Sequence, residues 1–486
     1  MHDHAQHRAF GRPIALSVFA LGVGALAPLG PSIARAGEPD WAAAGREAAG
    51  TLSAYLQVDT TNPPGNELAG ARFLGAALQR EGIAVEIDEF DVGRANLIAR
   101  LPSAGLEPPL CLMSHIDVVT AEAANWRHPP LSGHIDAEGV VWGRGALDMK
   151  GMTAVELTAM VLLHRSGQAL RRDVVLLAVA DEELDNRGVL RAMERWDRIG
   201  CSHVINEGGV GIQDMFFAGQ TVFPISVGEK GYVWGEIIAS GEPAHGSTPQ
   251  PGQAPERLVE AWQATRAWSP KPVWDPALLG LLEAVGEEQG GVAGVILKHP
   301  ALTKLLLRRK LMGNPLTRAV LTDTLNVTGF RGAEAPNVVP GEVRANVDSR
   351  ILPDTTVEQQ AQRIEALFAG LNGVRFEVQS STPGGRSPTD DPLYRALERH
   401  LLAEGPHLAV GPAISPGFTD SIHLRTIGVR AYGAVPFFLT EDELRGMHGN
   451  NERVSVVNLE RGTRVLYRTL VELTVAAAQP TASTTN

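Results

Sequence analysis

The chain has 486 residues, of which 44% are hydrophobic and 20% charged, and its formal net charge at pH 7 is -12. This length and composition are typical of a globular protein with more than one domain and a large buried core. The acidic balance, without a block of Lys and Arg or an interleaving of basic and aromatic residues, argues against a nucleic-acid partner.

The N-terminus has the pattern of a secretory signal peptide. Two arginines precede an apolar run over residues 14–29, and the small-residue sequence ARA ends at Ala36. We therefore predict a signal peptide over residues 1–36 and a periplasmic or secreted location for the mature chain. The alternative is an uncleaved anchor, although the apolar run is short for a membrane span and no later segment could cross a bilayer.

Export would place the chain in an oxidising compartment, where disulfides form. The chain has two cysteines, Cys111 and Cys201, which are too few for a disulfide framework. Each stands beside an apolar run, so a single bridge and two buried free thiols are both open from the sequence.

After the leader, helical and extended patterns alternate as far as residue 221. Helices are predicted where apolar residues recur at helical spacing, and strands where they alternate or run continuously. Apolar strands separated by helices indicate an α/β domain with a mostly parallel sheet covered by helices on both faces. The predicted helices are residues 41–58, 68–82 and 152–167, and the predicted strands are 85–90, 95–101, 110–119, 173–180 and 203–206.

From residue 222 to residue 383 the pattern changes to alternating polar and apolar positions. It predicts an antiparallel sheet with one face covered by two helices, an α+β arrangement that resembles a split βαβ sandwich. A helical, apolar segment over residues 275–315 fits neither pattern and is interpreted as an insertion in this domain. The predicted strands are residues 225–241, 324–330, 342–351 and 374–381, and the predicted helices are 254–268 and 356–370.

The α/β pattern returns over residues 384–478, with helices predicted over residues 391–405 and 459–477. The α+β domain is therefore predicted to be inserted into the larger domain, whose first part is residues 37–221. Residues 479–486, which are mostly Thr, Ser and other polar residues, are predicted to form a disordered tail.

Polar side chains follow the buried strands of the larger domain, where each strand ends. Taken alone, an acidic cluster there would be a solvated loop or a helix N-terminus. The carboxyl ends of strands in open α/β sheets form one ligand-binding edge, so these side chains should meet and repel unless divalent cations neutralise them. With imidazole and carboxylate donors and no thiolate, zinc is the leading candidate, with manganese or cobalt as alternatives. The side chains are His115, Asp117, Asp148, Asp181, Glu182, Glu183 and Glu207.

Five motifs, in this order along the chain, resemble those of the M20 family of dinuclear zinc peptidases and aminoacylases: SHIDVV, GRGALDMKG, DEE, NEGG and MHGNNE. The segments DTTNPPGNE, NWRHPPLSGHI and AHGSTP are similar to the family as well, so the resemblance covers nearly all of the mature chain. It implies a zinc-peptidase catalytic domain and an inserted lid domain through which a homodimer could form.

The resemblance also implies a site for two zinc ions, with cobalt or manganese as substitutes. Asp148 would bridge both metals. His115 and Glu207 would complete one metal site, and Glu183 and His448 the other.

Three acidic residues beside these ligands receive other roles from the resemblance. Glu182 would be the general base that takes a proton from a metal-activated water and returns it to the leaving amine. Asp117 would hold the second ring nitrogen of the His115 imidazole. Asp181 is interpreted as a support of the turn.

The inserted domain supplies matches to substrate-binding positions. His245 resembles the family histidine that reaches into the partner subunit's site to polarise the scissile carbonyl. The other matches would hold the substrate or line its pocket, and the forked donors of the two arginines suit a free carboxylate. These matches are Asn337, Arg350, Arg386, Thr419 and Asp420.

The implied reaction is metal-dependent hydrolysis of an amide bond next to a free carboxylate, in a dipeptide, a peptide or an N-acyl amino acid. Residues 117–148 most resemble the branch with Gly-X carboxypeptidases and N-fatty-acyl amino acid hydrolases. The sequences LDNRG, HGNNE and YGAVPFF depart from the family near the substrate, so they bear on specificity. Two alternatives are an inactive M20-like binding or assembly protein and a zinc aminopeptidase of a related fold.

Overall fold

The computed structural model describes residues 37–105 and 107–476. The predicted signal peptide and the predicted C-terminal tail lie outside these residues. Among the helices of the described part, none is long and apolar enough to cross a membrane.

The strands form one large sheet and three smaller ones. They are β1 (Ala84–Asp91), β2 (Arg94–Leu101), β3 (Glu107–His115), β4 (His134–Ile135), β5 (Val140–Trp142), β6 (Arg172–Val179), β7 (His203–Gln213), β8 (Thr221–Glu229), β9 (Gly231–Ser240), β10 (Ala244–His245), β11 (Thr324–Arg331), β12 (Val338–Val339), β13 (Glu342–Ile351), β14 (Val374–Thr382), β15 (Gly385–Arg386), β16 (Leu408–Ser415), β17 (Arg430–Leu439) and β18 (Arg453–Ser455).

The helices lie before, between and after these strands. They are α1 (Trp41–Leu56), α2 (Glu67–Arg80), α3 (Lys150–Arg165), α4 (Arg187–Met193), α5 (Trp196–Ile199), α6 (Ala254–Ala267), α7 (Pro276–Gln289), α8 (Gly291–Lys298), α9 (Pro300–Leu306), α10 (Arg308–Gly313), α11 (Pro315–Leu321), α12 (Val357–Leu367), α13 (Pro392–Leu402), α14 (Ser421–Thr426), α15 (Glu441–Leu444) and α16 (Val456–Thr474).

The large sheet has nine strands in the order β1-β2-β6-β3-β7-β17-β8-β15, with β16 paired to β8. Its centre is parallel, because β3 pairs in parallel with β6 and β7, and β17 with β7. The strands β1 and β2 add an antiparallel edge. The predicted α/β fold with a mostly parallel sheet is thus confirmed.

The apolar run of β6 shows why this sheet is covered on both faces. Side chains on a strand alternate between the two faces. Val174, Leu176 and Ala178 pack in one core cluster with α1, α2, α3 and α16, whereas Val175 and Leu177 pack in a second cluster with α4 and α14. Burying each such side chain stabilises the fold by roughly 1.5–3 kcal/mol, so the continuous apolar sequence places the strand in the centre of the sheet.

The smaller sheet is antiparallel and has the order β11-β13-β9-β14. The helices α6 and α12 cover one of its faces, where their apolar side chains join those of β9 and β13 in one core cluster. The helices α7 to α11 occupy the segment that was predicted as a helical insertion. Their apolar side chains form a separate cluster against the start of β8 and β16.

The prediction of one strand over residues 225–241 is wrong, because β8 and β9 belong to different sheets. The chain passes from one sheet to the other at Lys230. The buried ammonium of Lys230 donates hydrogen bonds to the carbonyl oxygens of Ala319 and Thr322, at 2.9 and 2.8 Å. Lys230 stands where the alternating pattern places a polar residue, so the pattern could not show the break.

The two cysteines form a disulfide, which settles the alternative left open by the sequence. Cys111 lies in β3 and Cys201 two residues before β7, and 90 positions separate them along the chain. Both are buried in the same core cluster.

Replacing both cysteines by alanine should lower the free energy of unfolding by about 2–4 kcal/mol, because the unfolded chain would lose a cross-link. Urea unfolding of the wild type and of the Cys111→Ala/Cys201→Ala variant measures the difference. Dithiothreitol should destabilise the wild type and leave the variant unchanged. Two free thiols in the denatured, unreduced wild type would contradict the pairing.

Candidate active site

The predicted site residues of the larger domain meet at one edge of the large sheet. His115 is the last residue of β3, and Glu182 and Glu183 follow β6. Glu207 lies in β7, next to β3. Asp148 precedes α3. Because β3, β6 and β7 are parallel, the carboxyl ends of β3 and β6 meet beside Glu207, which lies within β7 just after the stretch that pairs with β3.

Asp148 stands between two imidazoles. Its Oδ1 lies 2.9 Å from Nε2 of His115, and its Oδ2 lies 3.1 Å from Nε2 of His448. Nε2 of His448 is also 3.2 Å from Oε2 of Glu183, and Nε2 of His115 is 3.9 Å from Oε1 of Glu207. All five predicted metal ligands are therefore in one cluster, with the carboxylate of Asp148 at its centre.

Two sets of side chains in this cluster have the spacing of metal ligands. One is His115, Glu182 and Glu207, and the other is His115, Asp148 and Glu183, with the ligand atoms of each set within 4.8 Å of one another. Glu183 Oε1 is buried and has no hydrogen-bond partner in the described chain. Imidazole and carboxylate donors with an unsatisfied buried oxygen fit a divalent cation.

Asp117 lies behind the cluster and holds two of its segments. Its carboxylate accepts hydrogen bonds from the backbone N–H groups of Glu182 and Glu183, at 3.1 and 3.2 Å. Its backbone carbonyl accepts the hydrogen bond from Nδ1 of His115 at 2.9 Å, while its carboxylate is 3.6 Å from that nitrogen. Asp117 thus fixes both the imidazole and the turn that carries Glu182.

The negative charges of the cluster shift its ionisation equilibria. Burial, and then the charge of Glu207, raises the pKa of Glu182 well above its usual value. Burial, and then the charge of Asp148, does the same to the pKa of Glu207. Burial alone would also raise the pKa of Asp148, but hydrogen bonds to the two imidazoles outweigh it and lower this pKa.

The carboxylates also raise the pKa values of the two histidines, which favours the charged form of each imidazole. Hydrogen bonds to Asp148 and Glu183 raise the pKa of His448 to about 10. Burial would lower the pKa of His115, but hydrogen bonds to Asp117 and Asp148 outweigh it and raise this pKa well above its usual value. Without a metal, protons on the imidazoles therefore neutralise part of the carboxylate charge.

Two further carboxylates, those of Glu67 and Asp181, lie near Asp117. Their partners were not predicted from the sequence. Nη2 of Arg94 is 2.5 Å from Oδ1 of Asp181, and Nε of Arg94 is 2.7 Å from Oε2 of Glu67. Asn62 donates hydrogen bonds of 2.8 Å to both Asp117 and Asp181. Asn62 and Glu67 lie in the TTNPPGNE segment, whereas nothing in the sequence pointed to Arg94.

Glu452 is a second residue that the sequence reasoning missed, although it ends the quoted motif MHGNNE. It is fully buried and pairs with Nη1 of Arg144 at 2.6 Å. It also accepts hydrogen bonds from the backbone N–H groups of Gly145, Leu147 and Asp148, at 2.7–2.9 Å. Glu452 therefore fixes the loop that carries the central carboxylate.

Thr419 and Asp420 lie beside the cluster and are buried. Thr419 donates a 2.7 Å hydrogen bond to Glu229, and Asp420 accepts one of 3.1 Å from Asn186. Burial raises the pKa of Asp420 to about 7. The guanidinium of Arg350 lies 5.0 Å from the ring centroid of Phe418, the residue before Thr419, so Arg350 reaches the same wall of the site.

Four predicted residues of the inserted domain and its end, His245, Asn337, Arg350 and Arg386, form no hydrogen bond or ion pair with this cluster in the described part of the chain. Arg350 pairs with Asp348 at 2.7 Å. His245 and Asn337 are exposed and lie side by side, His245 in β10 and Asn337 immediately before β12. Arg386 pairs with Asp354 at 2.7 Å and with Asp275 at 3.0 Å.

The model of the peptidase family M20/M25/M40 matches residues 111–472. The chain belongs to this family. The predicted resemblance is confirmed, and so is the prediction that the protein is an enzyme, a hydrolase.

Two curated relatives of this M20 chain are hydrolases or acylases. The human N-fatty-acyl-amino acid synthase/hydrolase is 28% identical over 369 residues, which are 74% of this chain and 73% of the relative. Aminoacylase-1A of Rattus norvegicus is 26% identical over 436 residues, 88% of this chain and 95% of the relative.

Solved structures of the M20 family share this fold. An M20 metallo-carboxypeptidase from Sulfolobus solfataricus superposes with a TM-score of 0.66 at 19% identity, over 87% of this chain and 98% of the other. A Bacillus subtilis protein described as a dinuclear metal binding peptidase superposes with a TM-score of 0.56 at 13% identity, over 88% and 98%.

The raised pKa values predict that the metal-free M20 site favours folding less as the pH rises. Above the unfolded pKa of Glu182 and Glu207, about 4.5, the cost of burying these residues increases with pH because the unfolded chain ionises them freely. The stabilisation that protonated His448 provides declines as the pH rises from 6.5 to about 10. In chelator, the wild type should therefore lose more free energy of unfolding between pH 6 and pH 9 than Glu182→Gln/His448→Asn does. Urea unfolding measures both losses, and equal losses would contradict the shifts.

Proposed function

We propose that this M20 hydrolase cleaves an amide bond next to a free carboxylate and uses two zinc ions, for which cobalt or manganese could substitute. The observation that carries the proposal is the carboxylate of Asp148 between the imidazoles of His115 and His448, at 2.9 and 3.1 Å. A carboxylate with one oxygen toward each imidazole is suited to bridge two cations.

The proposed ligands follow from this arrangement. Asp148 would hold both ions, His115 and Glu207 would complete one site, and Glu183 and His448 would complete the other. The proposal is supported by the distances within the cluster and by the unpartnered oxygen of Glu183. Zinc is preferred because each ion would have imidazole and carboxylate ligands and only three of them from the protein, as in catalytic zinc sites that leave a position for water.

Glu182 is the proposed general base. When bound, the two ions would polarise the scissile carbonyl and make a water molecule more acidic. Glu182 accepts the proton of this water and returns it to the leaving amine. Asp117 supports the step because it holds the backbone of Glu182 and orients the imidazole of His115.

The substrate carboxylate is proposed to bind arginine. Arg350 reaches the wall of the site formed by Phe418 and Thr419, and its forked donors suit a carboxylate. Asn337 and Arg386 are proposed to contact the substrate as well. Arg386 would have to exchange its partners Asp275 and Asp354 for the substrate carboxylate.

His245 is proposed to act in the site of a partner subunit, where it would polarise the scissile carbonyl. Its exposure, without a contact to the cluster in the described part of its own chain, supports this role. The proposal requires a homodimer formed through the inserted domain, predicted over residues 222–383. The separate antiparallel sheet supports that domain division, although β8 pairs in the large sheet.

A periplasmic or secreted location is proposed for the mature chain. The disulfide between Cys111 and Cys201 supports it, because such bonds persist in oxidising compartments.

Glu182→Gln should keep both metal ions and lower kcat by roughly 10³-fold or more, because only the proton transfer is removed. Metal analysis and hydrolysis of an N-acyl amino acid measure the two effects. Asp185→Asn, which removes the same charge from an exposed residue of the same turn, is the matched control and should keep full activity. Retained activity in Glu182→Gln would refute the role of Glu182.

Blocking the carboxylate of the substrate should lower kcat/KM by about 10²-fold or more, because a buried polar site rejects a substrate that leaves it unpaired. The zinc-loaded protein is assayed against N-acyl amino acids and dipeptides and against their C-terminal amides. Equal hydrolysis of acids and amides would contradict recognition of a free carboxylate. Uptake of far less than two zinc equivalents would contradict the metal site.

A further inference from the structure

The helices α8 to α11 form a segment of unusual charge within an acidic chain. Residues 291–321, here called the basic insert, contain six Lys and Arg residues and no Asp or Glu, whereas the whole chain has a net charge of -12. The six cations are Lys298, Lys304, Arg308, Arg309, Lys310 and Arg318.

The cations of the basic insert are open to solvent and unpaired. All six are exposed, and their side chains form no ion pair or hydrogen bond within the described residues. Several exposed arginines elsewhere are paired: Arg165, for example, pairs with both Glu47 and Glu81, at 2.9 and 2.7 Å. The basic insert therefore presents a positive surface that no carboxylate of the described chain neutralises.

Exposed aliphatic side chains lie among these cations. Val292 and Val295 share one face of α8, since they are three residues apart, and Leu302, Leu305 and Leu306 share one face of α9. Leu305 is 76% exposed and Val292 is 80% exposed. Of the nineteen large hydrophobic side chains exposed in the described residues, six lie in this segment of 31 residues. Such a concentration marks an interaction surface.

The exposed leucines are not the remains of a poorly formed core. The insert contributes Leu297, Leu311 and Leu321, which are at most 8% exposed, to a core cluster that it shares with α7 and with the start of β8 and β16. A hydrogen bond of 2.7 Å from Thr303 to the carbonyl of Ile296 ties α9 to α8. The helices also line an apolar cavity of about 400 Å³ together with the turn after β7. The segment is a folded unit with a surplus of apolar surface.

The six cations of the basic insert form no ion pair or hydrogen bond with the predicted metal ligands or substrate residues in the described chain. Strand β7 runs from Glu207, in the cluster, toward the turn at Met215 that lines the cavity. Eight residues of fully extended chain at about 3.3 Å each span at most roughly 25 Å. The other end of the insert lies nearer the site, because Ala319 accepts a hydrogen bond from Lys230, the residue after Glu229. The exposed cations have no partner in the site, so their surface is open to another partner.

We propose that the basic insert docks on the surface of an anionic phospholipid bilayer. The unpaired cations bind the headgroup phosphates, and the exposed leucines and valines enter the interface between headgroups and acyl chains. A bilayer of this kind offers negative charge and apolar volume together over the whole segment. The helices α8 to α11 have eight residues or fewer, so they lie on the bilayer and do not span it. This inference is independent of the proposed reaction.

Flotation with lipid vesicles tests the proposal on the full purified chain. The protein should float with vesicles that contain phosphatidylglycerol, and its partition coefficient should be at least about tenfold lower for pure phosphatidylcholine vesicles, since each cation near an anionic surface adds affinity. Added salt should weaken the binding. Absence of flotation with the anionic vesicles would overturn the proposal.

Two double variants separate the contributions of the surface. Leu305→Ser/Leu306→Ser removes apolar anchors, and Arg308→Gln/Arg309→Gln removes cations. Each should lower the partition coefficient on anionic vesicles by about tenfold or more. The side chains are exposed, so the fold and the hydrolysis of a small substrate should not change. Unchanged partition in both variants would overturn the proposal.

Matched controls lie outside the insert. Val92→Ser changes an aliphatic side chain that is 92% exposed, and Arg46→Gln/Arg72→Gln removes two exposed arginines that are unpaired in the described chain. These variants should float like the wild type. If their partition coefficients fell as much as those of the insert variants, net charge or nonspecific hydrophobic association would govern binding and the proposal would fail. The surface could instead contact a second copy of the chain, and light scattering tests this by measuring the oligomeric state. If the insert variants turn a dimer into a monomer and leave vesicle binding intact, the surface is a contact between copies and the proposal fails.

Discussion

The mutual repulsion of carboxylates at the end of the parallel strands is the constraint on which the rest of the site depends. Asp148, Glu182, Glu183 and Glu207 stand in one cluster, and the ligand atoms of its subsets lie within 4.8 Å of one another. Unit charges 4 Å apart repel by about 4 kcal/mol at an effective dielectric constant of 20. The fold can keep such a group only if cations, protons or hydrogen-bond donors neutralise it.

The protein supplies that neutralisation unevenly. Behind the cluster, Arg94 and Asn62 compensate Asp181, Glu67 and Asp117. Beside it, Arg144 compensates Glu452. At the front only the two imidazoles face the carboxylates, and one oxygen of Glu183 has no partner in the described chain. The residues behind the cluster are paired by guanidinium and amide donors, although Oδ2 of Asp181 has no hydrogen-bond partner in the described chain. These donors hold the backbone in place, whereas the carboxylates that face imidazoles are those proposed to bind metal.

The sequence predicted the parts of this arrangement that depend on local patterns. The apolar runs of β3 and β6 predicted the sheet, and the polar residues that follow them predicted the edge where ligands meet. Partners that come from distant segments could not be predicted in this way. Arg94 is the first residue of β2, where no local pattern marks it, and only the folded chain brings it to Asp181. The break between β8 and β9 was missed because Lys230, although buried, fits the alternation of an exposed face.

The same contrast between paired and unpaired charge applies to the whole molecule. Along the large sheet, arginines such as Arg191 and Arg195 are held by carboxylates of β1, so they contribute little to the field around the protein. The unpaired cations of the basic insert contribute fully, and in a chain of net charge -12 they set an electrostatic orientation. An anionic surface repels most of the molecule and attracts this segment. Because these cations form no ion pair with the predicted metal ligands in the described chain, a chain oriented in this way leaves its catalytic edge free for a dissolved substrate with a free carboxylate.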